Sequence, residues 1–396
     1  MSWRELVLHE FKAIFTNPAI LFTVFGGVLI YSLIYPLPYA NQLPREQHIA
    51  VVNLDNSAMS RELVRMVDAT PQVQVMRTAS SLDEAKQWLL NQEVQGMLVI
   101  PEHFYRDLLL GTSPTVAFAG DAALFLVYGT VVEGLATATG TLSAKAKVVR
   151  MVAAGNNLTL ASEQYAPLKL NMLPVFNPTM GYINYIVPAV FVLILHQTLL
   201  IGSALVGAAH QESRQRGEIP YTMAYAPWKM IMVRVSWFTL IYLPLTAYYF
   251  GLSFESYGIS RLAQIGDLIA MTLPFLVAVT LLGIVLGELV PRKELVTVIV
   301  LLSSLPLVFS AGFVWPVSAL PEPVNWLAQW FPSTPAINGF LRLNQMGASF
   351  AQVGHWWIHL WGLAGLYLCI ALGLMLRKQK LQQRHSSASA IENRVE

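Results

Sequence analysis

Charge is what this sequence has least of. Only 12% of its 396 residues are Asp, Glu, Lys or Arg, against about 25% in an ordinary globular domain. The shortage is concentrated in six stretches without any of the four, bounded by Lys12 and Arg45, Lys169 and Glu212, Arg234 and Glu255, Asp267 and Glu288, Glu294 and Glu322, and Arg342 and Arg377. Cysteine is nearly absent too. The single Cys369 lies in the last stretch, which excludes an intrachain disulfide framework and a thiol metal site. There is no Gly-x-x-x-x-Gly-Lys, indeed no Gly-Lys, so no P-loop for ATP. His-Glu-x-x-His, Gly-x-Ser-x-Gly and Cys-x-x-Cys are also missing. These absences argue against an enzyme. The uncharged stretches further lack the carboxylates that ion-coupled pumps use as relays, leaving His196 and Gln197 as their notable polar pair.

What is present is apolar. Hydrophobic residues make up 55% of the chain, mean hydropathy is +0.51, and each uncharged stretch holds the ~20 residues a helix needs to cross a bilayer. The net charge of +2 gives no sign of nucleic acid as a partner. The expected architecture is an α-helical polytopic membrane protein with six transmembrane helices plus an inserted α/β extracytoplasmic domain. Its boundaries read 1–16 for an interfacial helix, 17–37 for the first span, 38–180 for the inserted domain with its long helices, and 181–209 for the second span. A charged segment at 210–228 follows, then spans at 229–251, 265–287 and 295–314, a hairpin at 315–356, a sixth span at 357–376 and a tail at 377–396. The first span is too long and too weakly basic in front for a cleaved signal peptide, so it reads as a retained anchor. Lys and Arg of short loops favour the cytoplasm. Arg4, Lys12, Arg214, Arg216, Lys229, Arg234, Arg292, Lys293 and the basic tail from Arg377 to Arg394 fall on one side, against Arg261 and Arg342 on the other. Both termini are therefore expected inside and residues 38–180 outside.

Within the insert, His48–Asn53 reads as a buried strand, 59–67 as a helix, 72–76 as a strand, 81–90 as a capped helix, and 96–100 and 115–119 as strands. Residues 122–165 suggest one or two long helices. Strands alternating with helices predict a small α/β layer.

Three segments invite a functional reading. Met1–Phe15 patterns as an amphipathic helix with Ser2 and Glu5 as a capping box, suited to lying on lipid. His210–Trp228 sets charges before a helix-ending Gly217 and a short apolar piece, as a brief helix along the membrane would. Residues 315–356 are rich in proline and tryptophan, and such broken apolar segments must pack on protein or line a cavity. His355 and His359 have i, i+4 spacing suited to a metal, but no third or fourth ligand lies near in sequence, and Trp356, Trp357 and Trp361 mark an interfacial belt.

Taken together, these segments resemble the permease subunits of type 2 ABC exporters, in the subgroup with a large periplasmic domain after the first span. The resemblance rests on Glu10-Phe-Lys-Ala-Ile-Phe-Thr-Asn-Pro18, Ile49–Ser57, Gly96–Phe104, Phe176-Asn-Pro178 with Ile186-Val-Pro188, Glu212-Ser-Arg-Gln-Arg-Gly217, and Ser310-Ala-Gly-Phe-Val-Trp-Pro316 with Leu320-Pro321, Phe331-Pro332, Arg342 and Gly347. Ser213, Gln215 and Glu218-Ile-Pro220 depart from the family's usual Glu-Arg-Glu-Arg-Gly-Thr stretch. The resemblance implies an inner-membrane subunit in a Gram-negative bacterium that dimerises with a second copy or a relative, and a separate cytosolic ATPase that carries ATP and Mg while this chain binds no cofactor. It also implies a periplasmic adaptor. Glu10, Lys12, Glu212, Arg214, Arg216 and Gly217 would couple to the ATPase, and Gly312, Phe313, Pro316, Pro321, Pro332 and Arg342 would form an exit hairpin. The uncharged spans favour an amphiphilic drug or lipid-like cargo over ions. The rival reading is a non-transporting receptor or scaffold that works through its outward domain.

Overall fold

The structure, a computed structural model, describes residues 2–40, 44–165, 173–178, 180–218 and 220–392, with side chains to Gln382. Parts of the expected 38–180 domain, Ile219 of the charged segment and Arg394 of the tail lie outside the described residues. The chain divides into two compact units, one formed by Met1–Ala40 with Pro174–Glu396 and the other by Asn41–Leu173. The protein is mostly helical and polytopic. Among the described residues, seven helices are long and apolar enough to cross a membrane.

Six of the seven lie in the first unit, on the uncharged stretches: Pro18–Tyr39, Tyr182–Gln215, Pro227–Ser256, Ile265–Leu289, Lys293–Ser310 and Phe350–Gln382. They are called the first to sixth long helices here. The first begins as its sequence predicts. Asn17 accepts from the amides of Ala19 and Ile20, and Pro18 takes the first helical position, where its missing amide costs nothing. The second is the axis of this unit and is buried almost throughout. It meets the fourth through small residues: Gly283-Ile-Val-Leu-Gly287 faces Ser203, Ala204 and Gly207. A Cβ at Gly287 would come within 2.4 Å of the Ala204 carbonyl, and Ser203 Oγ donates to the Thr280 carbonyl at 2.9 Å. In lipid, close packing replaces the hydrophobic drive, and small residues four apart permit it. Both the first and third long helices carry a π-helical stretch, Phe22–Gly27 and Tyr249–Ser253. Around them Tyr249 donates to the Val28 carbonyl at 2.8 Å and stacks on Phe191 at 4.2 Å.

The fifth helix ends at Ser310, four residues short of the expected span, because Gly312 turns left-handed at φ +88. The sixth starts at Phe350, inside the expected hairpin. Between them come Glu322–Ala328 and Ser333–Asn344.

In the second unit, β1 (Gln47–Asn53), β2 (Val73–Ala79), β3 (Gly96–Ile100) and β4 (Ala117–Gly120) form a sheet in the order β2-β1-β3-β4. β1 runs parallel to β2 and β3, and β4 runs antiparallel to β3. The unbroken apolar run of β1 follows from its central place. Ile49 and Val51 enter one core with Leu63, Val131, Leu135 and Leu142, while Ala50 and Val52 enter another with Ala85 and Val94. Residues 122–165 form two helices, Phe125–Ala153 and Leu158–Gln164. Phe125–Ala153 is the seventh helix long enough to span a bilayer, yet it packs Val131, Leu135, Ala138 and Leu142 into this unit's core. Phe104–Leu110 is a further helix that the sequence pattern does not announce, led by His103 at φ 62.

Candidate functional site

At one end of the helical unit, charged side chains from distant segments meet. Glu10 sits on the helix Trp3–Phe15, which starts with the expected capping box: Glu5 N donates to Ser2 Oγ at 3.3 Å and Ser2 N to Glu5 Oε2 at 3.0 Å. The apolar face of this helix buries Leu6 and Ile14, and Glu10 lies between them, fully buried. Its partner is Arg234 of the third long helix, only 2% exposed. The pair is bidentate: Arg234 Nε donates to Oε2 at 2.9 Å and Nη2 to Oε1 at 2.8 Å. Tyr221 Oη adds a bond to Oε1 at 2.8 Å, and its ring lies between His9, stacked at 5.0 Å, and the edge of His210 at 4.9 Å.

Burial by itself would raise the Glu10 carboxyl, but the Arg234 charge and hydrogen bond, helped by Tyr221, hold it below the ordinary carboxylate range. Burial and the charge on Glu10 push the Tyr221 phenol up, so it stays a donor. The result is a fixed, neutralised joint between the N-terminal helix, the loop after the second long helix and the third. A bidentate fork of this kind sets angle as well as distance.

A second cluster ties the other helices together. Glu288, 4% exposed, closes the fourth. It receives Lys378 Nζ of the sixth at 2.8 Å and lies 3.8 Å from Arg214 Nη1 of the second. Gln211 Nε2 donates to the Glu288 carbonyl at 2.8 Å. Glu212 accepts from the Lys293 amide at 3.0 Å, where the fifth begins. Gln379 Nε2 reaches the Tyr225 carbonyl at 2.9 Å.

The sequence-predicted coupling residues thus fall into two groups. Glu10, Glu212 and Arg214 belong to these clusters, whereas Lys12, Arg216 and Gly217 are exposed. Among the described residues the charged part of this segment is not a helix of its own. The second long helix continues through Gln215, Gly217 turns at φ +81, and a short 3-10 turn occupies Tyr221–Ala224. The reason is local: Glu212–Gln215 have good helix formers and no breaker before Gly217. A cleft of about 510 Å3 opens beside this end, lined by Ala13, Asn17, Leu205, His210 and Lys293 among others.

Tyr221, Arg234, Glu288 and Lys378 are site residues that sequence reasoning missed. Their signal was present: Arg234 stands inside a span and Glu288 ends one, and a charge there needs a partner. Which partner was not readable.

The hairpin residues gather elsewhere in the same unit. Phe313 is buried, and Asn338 Nδ2 donates to the Ala311 carbonyl at 3.0 Å, bracing the Gly312 turn. Pro332 is buried at the head of Ser333–Asn344, which packs Ile337 and Phe340 into the main core, with Phe340 stacked on Phe250 at 4.9 Å. Pro316, Pro321 and Arg342 are exposed. His355 is exposed, and among the described residues no group of three His, Cys, Asp or Glu side chains stands close enough to hold a metal.

A comparison with curated proteins finds no match. The family model described as ABC-2 family transporter protein matches residues 18–372, from the start of the first long helix deep into the sixth. With its polytopic helical unit and its motifs thus spanned almost end to end, the chain belongs to the ABC-2 transporter family, as a membrane permease component rather than a catalytic one.

Proposed function

We propose that this permease exports an amphiphilic molecule across a bacterial inner membrane, as half of a dimer with a second copy or a relative, driven by ATP and Mg on a separate cytosolic ATPase. In this reading six helices span the bilayer, both termini are cytoplasmic, and Asn41–Leu173 stands in the periplasm, where an adaptor meets it. The helix Phe125–Ala153 stays with that unit, since leaving would strip Val131, Leu135 and Leu142 from its core.

The observation that carries the proposal is the buried joint of Glu10, Tyr221 and Arg234 beside the exposed turn at Arg216 and Gly217. An ATPase pressing on that turn would push the end of the second long helix. Glu212 and Arg214 then hand the displacement to Lys293 of the fifth and Glu288 of the fourth, and Lys378 passes it to the sixth. The Glu10 joint makes the N-terminal helix move with the third. Packed, ion-paired ends move as rigid pieces, so a small push reaches the far end of each span. There the residues from Gly312 to Arg342 act as the outward cap, and the apolar span surfaces suit an amphiphile over an ion.

Identifying by mass spectrometry what copurifies with the tagged chain, expressed from its native chromosomal neighbourhood, tests the reading. Arg216→Glu reverses an exposed charge, so the variant should unfold like the parent but lose the ATPase and its stimulated ATP hydrolysis. A stoichiometric, fully active ATPase on Arg216→Glu would overturn the docking assignment.

A further inference from the structure

The second unit holds a cleft that the transport reading leaves unused. It has a volume of about 400 Å3, within the roughly 300–1,000 Å3 typical of small-molecule sites. Its floor is apolar: Leu63, Phe104 and Leu142 all belong to the unit's core. One wall is a single face of the helix Phe125–Ala153, and along it the chemistry changes in order. Thr139, Leu142 and Ser143 come first, then Lys147 and Arg150; Thr139, Ser143, Lys147 and Arg150 are three or four residues apart and so on the same side, with Leu142 beside them.

Among the described residues these two cations, like the exposed Arg45, Arg61, Arg65 and Lys86, hold no carboxylate, whereas three other cations of the unit do. Arg77, Arg106 and Lys145 each hold a carboxylate, at 2.5 Å, 2.9 Å and 2.6 Å. Among the described residues no carboxylate stands within ion-pair distance of Lys147 or Arg150. Lys147 makes one bond, to the Tyr165 carbonyl at 2.8 Å. The guanidinium of Arg150 lies over Gly111 at the lip of the cleft, where a Cβ would come within 2.2 Å of Nη1. Gly111 holds φ +80, which also favours glycine, so the backbone keeps that space open for the cation. Two full positive charges outweigh the partial negative charge, about half a unit, of the helix C-terminus nearby.

We propose that this cleft binds an amphiphilic organic anion, its alkyl or aryl body on Leu63, Phe104 and Leu142 and its single acidic headgroup between Lys147 and Arg150. The site is independent of export, since it needs neither the ATPase nor the spans.

The test uses the full chain in nanodiscs of zwitterionic phosphatidylcholine and a dodecanoate bearing a diazirine, with labelled peptides mapped by mass spectrometry. Label should fall on residues 104–116 and 139–150, compete with plain dodecanoate, and resist dodecyltrimethylammonium. In the Lys147→Glu/Arg150→Glu variant that label should drop roughly tenfold, since attraction turns to repulsion. The same variant should gain label from a diazirine-bearing dodecylammonium, which an unfolded unit would not do selectively. Label confined to the spans overturns the proposal. So does cleft label that the charge reversal leaves unchanged, or a double variant that takes neither probe.

Discussion

An Arg–Glu pair in each unit sits in the opposite environment. In the sheet-bearing unit Arg77 and Glu93 meet at 2.5 Å with side chains 42% and 37% exposed. In the helical unit Arg234 and Glu10 meet at 2.8 Å with side chains 2% and 0% exposed. The chemistry of the contact is the same, but its consequence is not. Water already solvates the first pair, so either partner can be lost at small cost. The second has given up its water, so each charge depends mainly on the other, with Tyr221 adding one bond to Glu10. A pair of that kind adds little net stability over apolar side chains, but it penalises any arrangement that separates the two helices carrying it. The buried pair therefore specifies position, while the exposed pair decorates a surface.

The comparison is broken most sharply by removing one buried partner. Arg234→Ala should destabilise the helical unit by about 3–5 kcal/mol, read as a fall in the thermal unfolding midpoint in detergent. The Glu10→Leu/Arg234→Met double variant should recover most of that loss, because both desolvated charges go together. Equal losses in the single and double variants would mean that packing, not charge, holds the joint. Next in size is Gly287→Val, where a side chain meets the Ala204 carbonyl and Gly207 backbone. Overpacking there should cost about 1–3 kcal/mol or more, whereas the same change at Gly362, which has open space, should be silent.

Acid sharpens the contrast further. The folded Glu10 carboxyl titrates below its ordinary value of 4.5, so the folded state binds fewer protons than the unfolded one. Its contribution is complete above that pH and is lost as pH falls through the lowered folded value. Unfolding midpoints of the parent should therefore drop faster than those of the double variant below pH 4.5. The smallest effect belongs to the exposed pair: Arg77→Ala should shift stability by less than about 1 kcal/mol, part of it from the guanidinium over the Trp88 ring.

Much of this fold was readable because membrane and core burial leave plain marks on composition. The uncharged stretches located the six long helices of the helical unit, and Asn17-Pro18 marked where the first begins. The apolar run of β1 marked the central strand. The site was only half legible. The family resemblance drew out Glu10, Glu212 and Arg214, but a charge gives no hint of burial when its partner is 81 or 224 residues away. Arg234 counted as one more basic residue for orientation until its place opposite Glu10 was known. The second long helix also outran its uncharged stretch, since helix formers continue past the last apolar residue up to Gly217.

What the sequence determined by itself was the class: too little charge in its long apolar stretches for anything but a polytopic helical protein, with no motif for handling ATP. These are local properties, set by each residue's preference for water or lipid and by hydrogen bonds within a turn or two. Tertiary structure alone decided which charges became a joint, which small residues let the second and fourth helices touch, and which cations of the sheet-bearing unit were left facing an apolar cleft. Those outcomes depend on distances between segments far apart in the chain, and such distances exist only once the helices have packed.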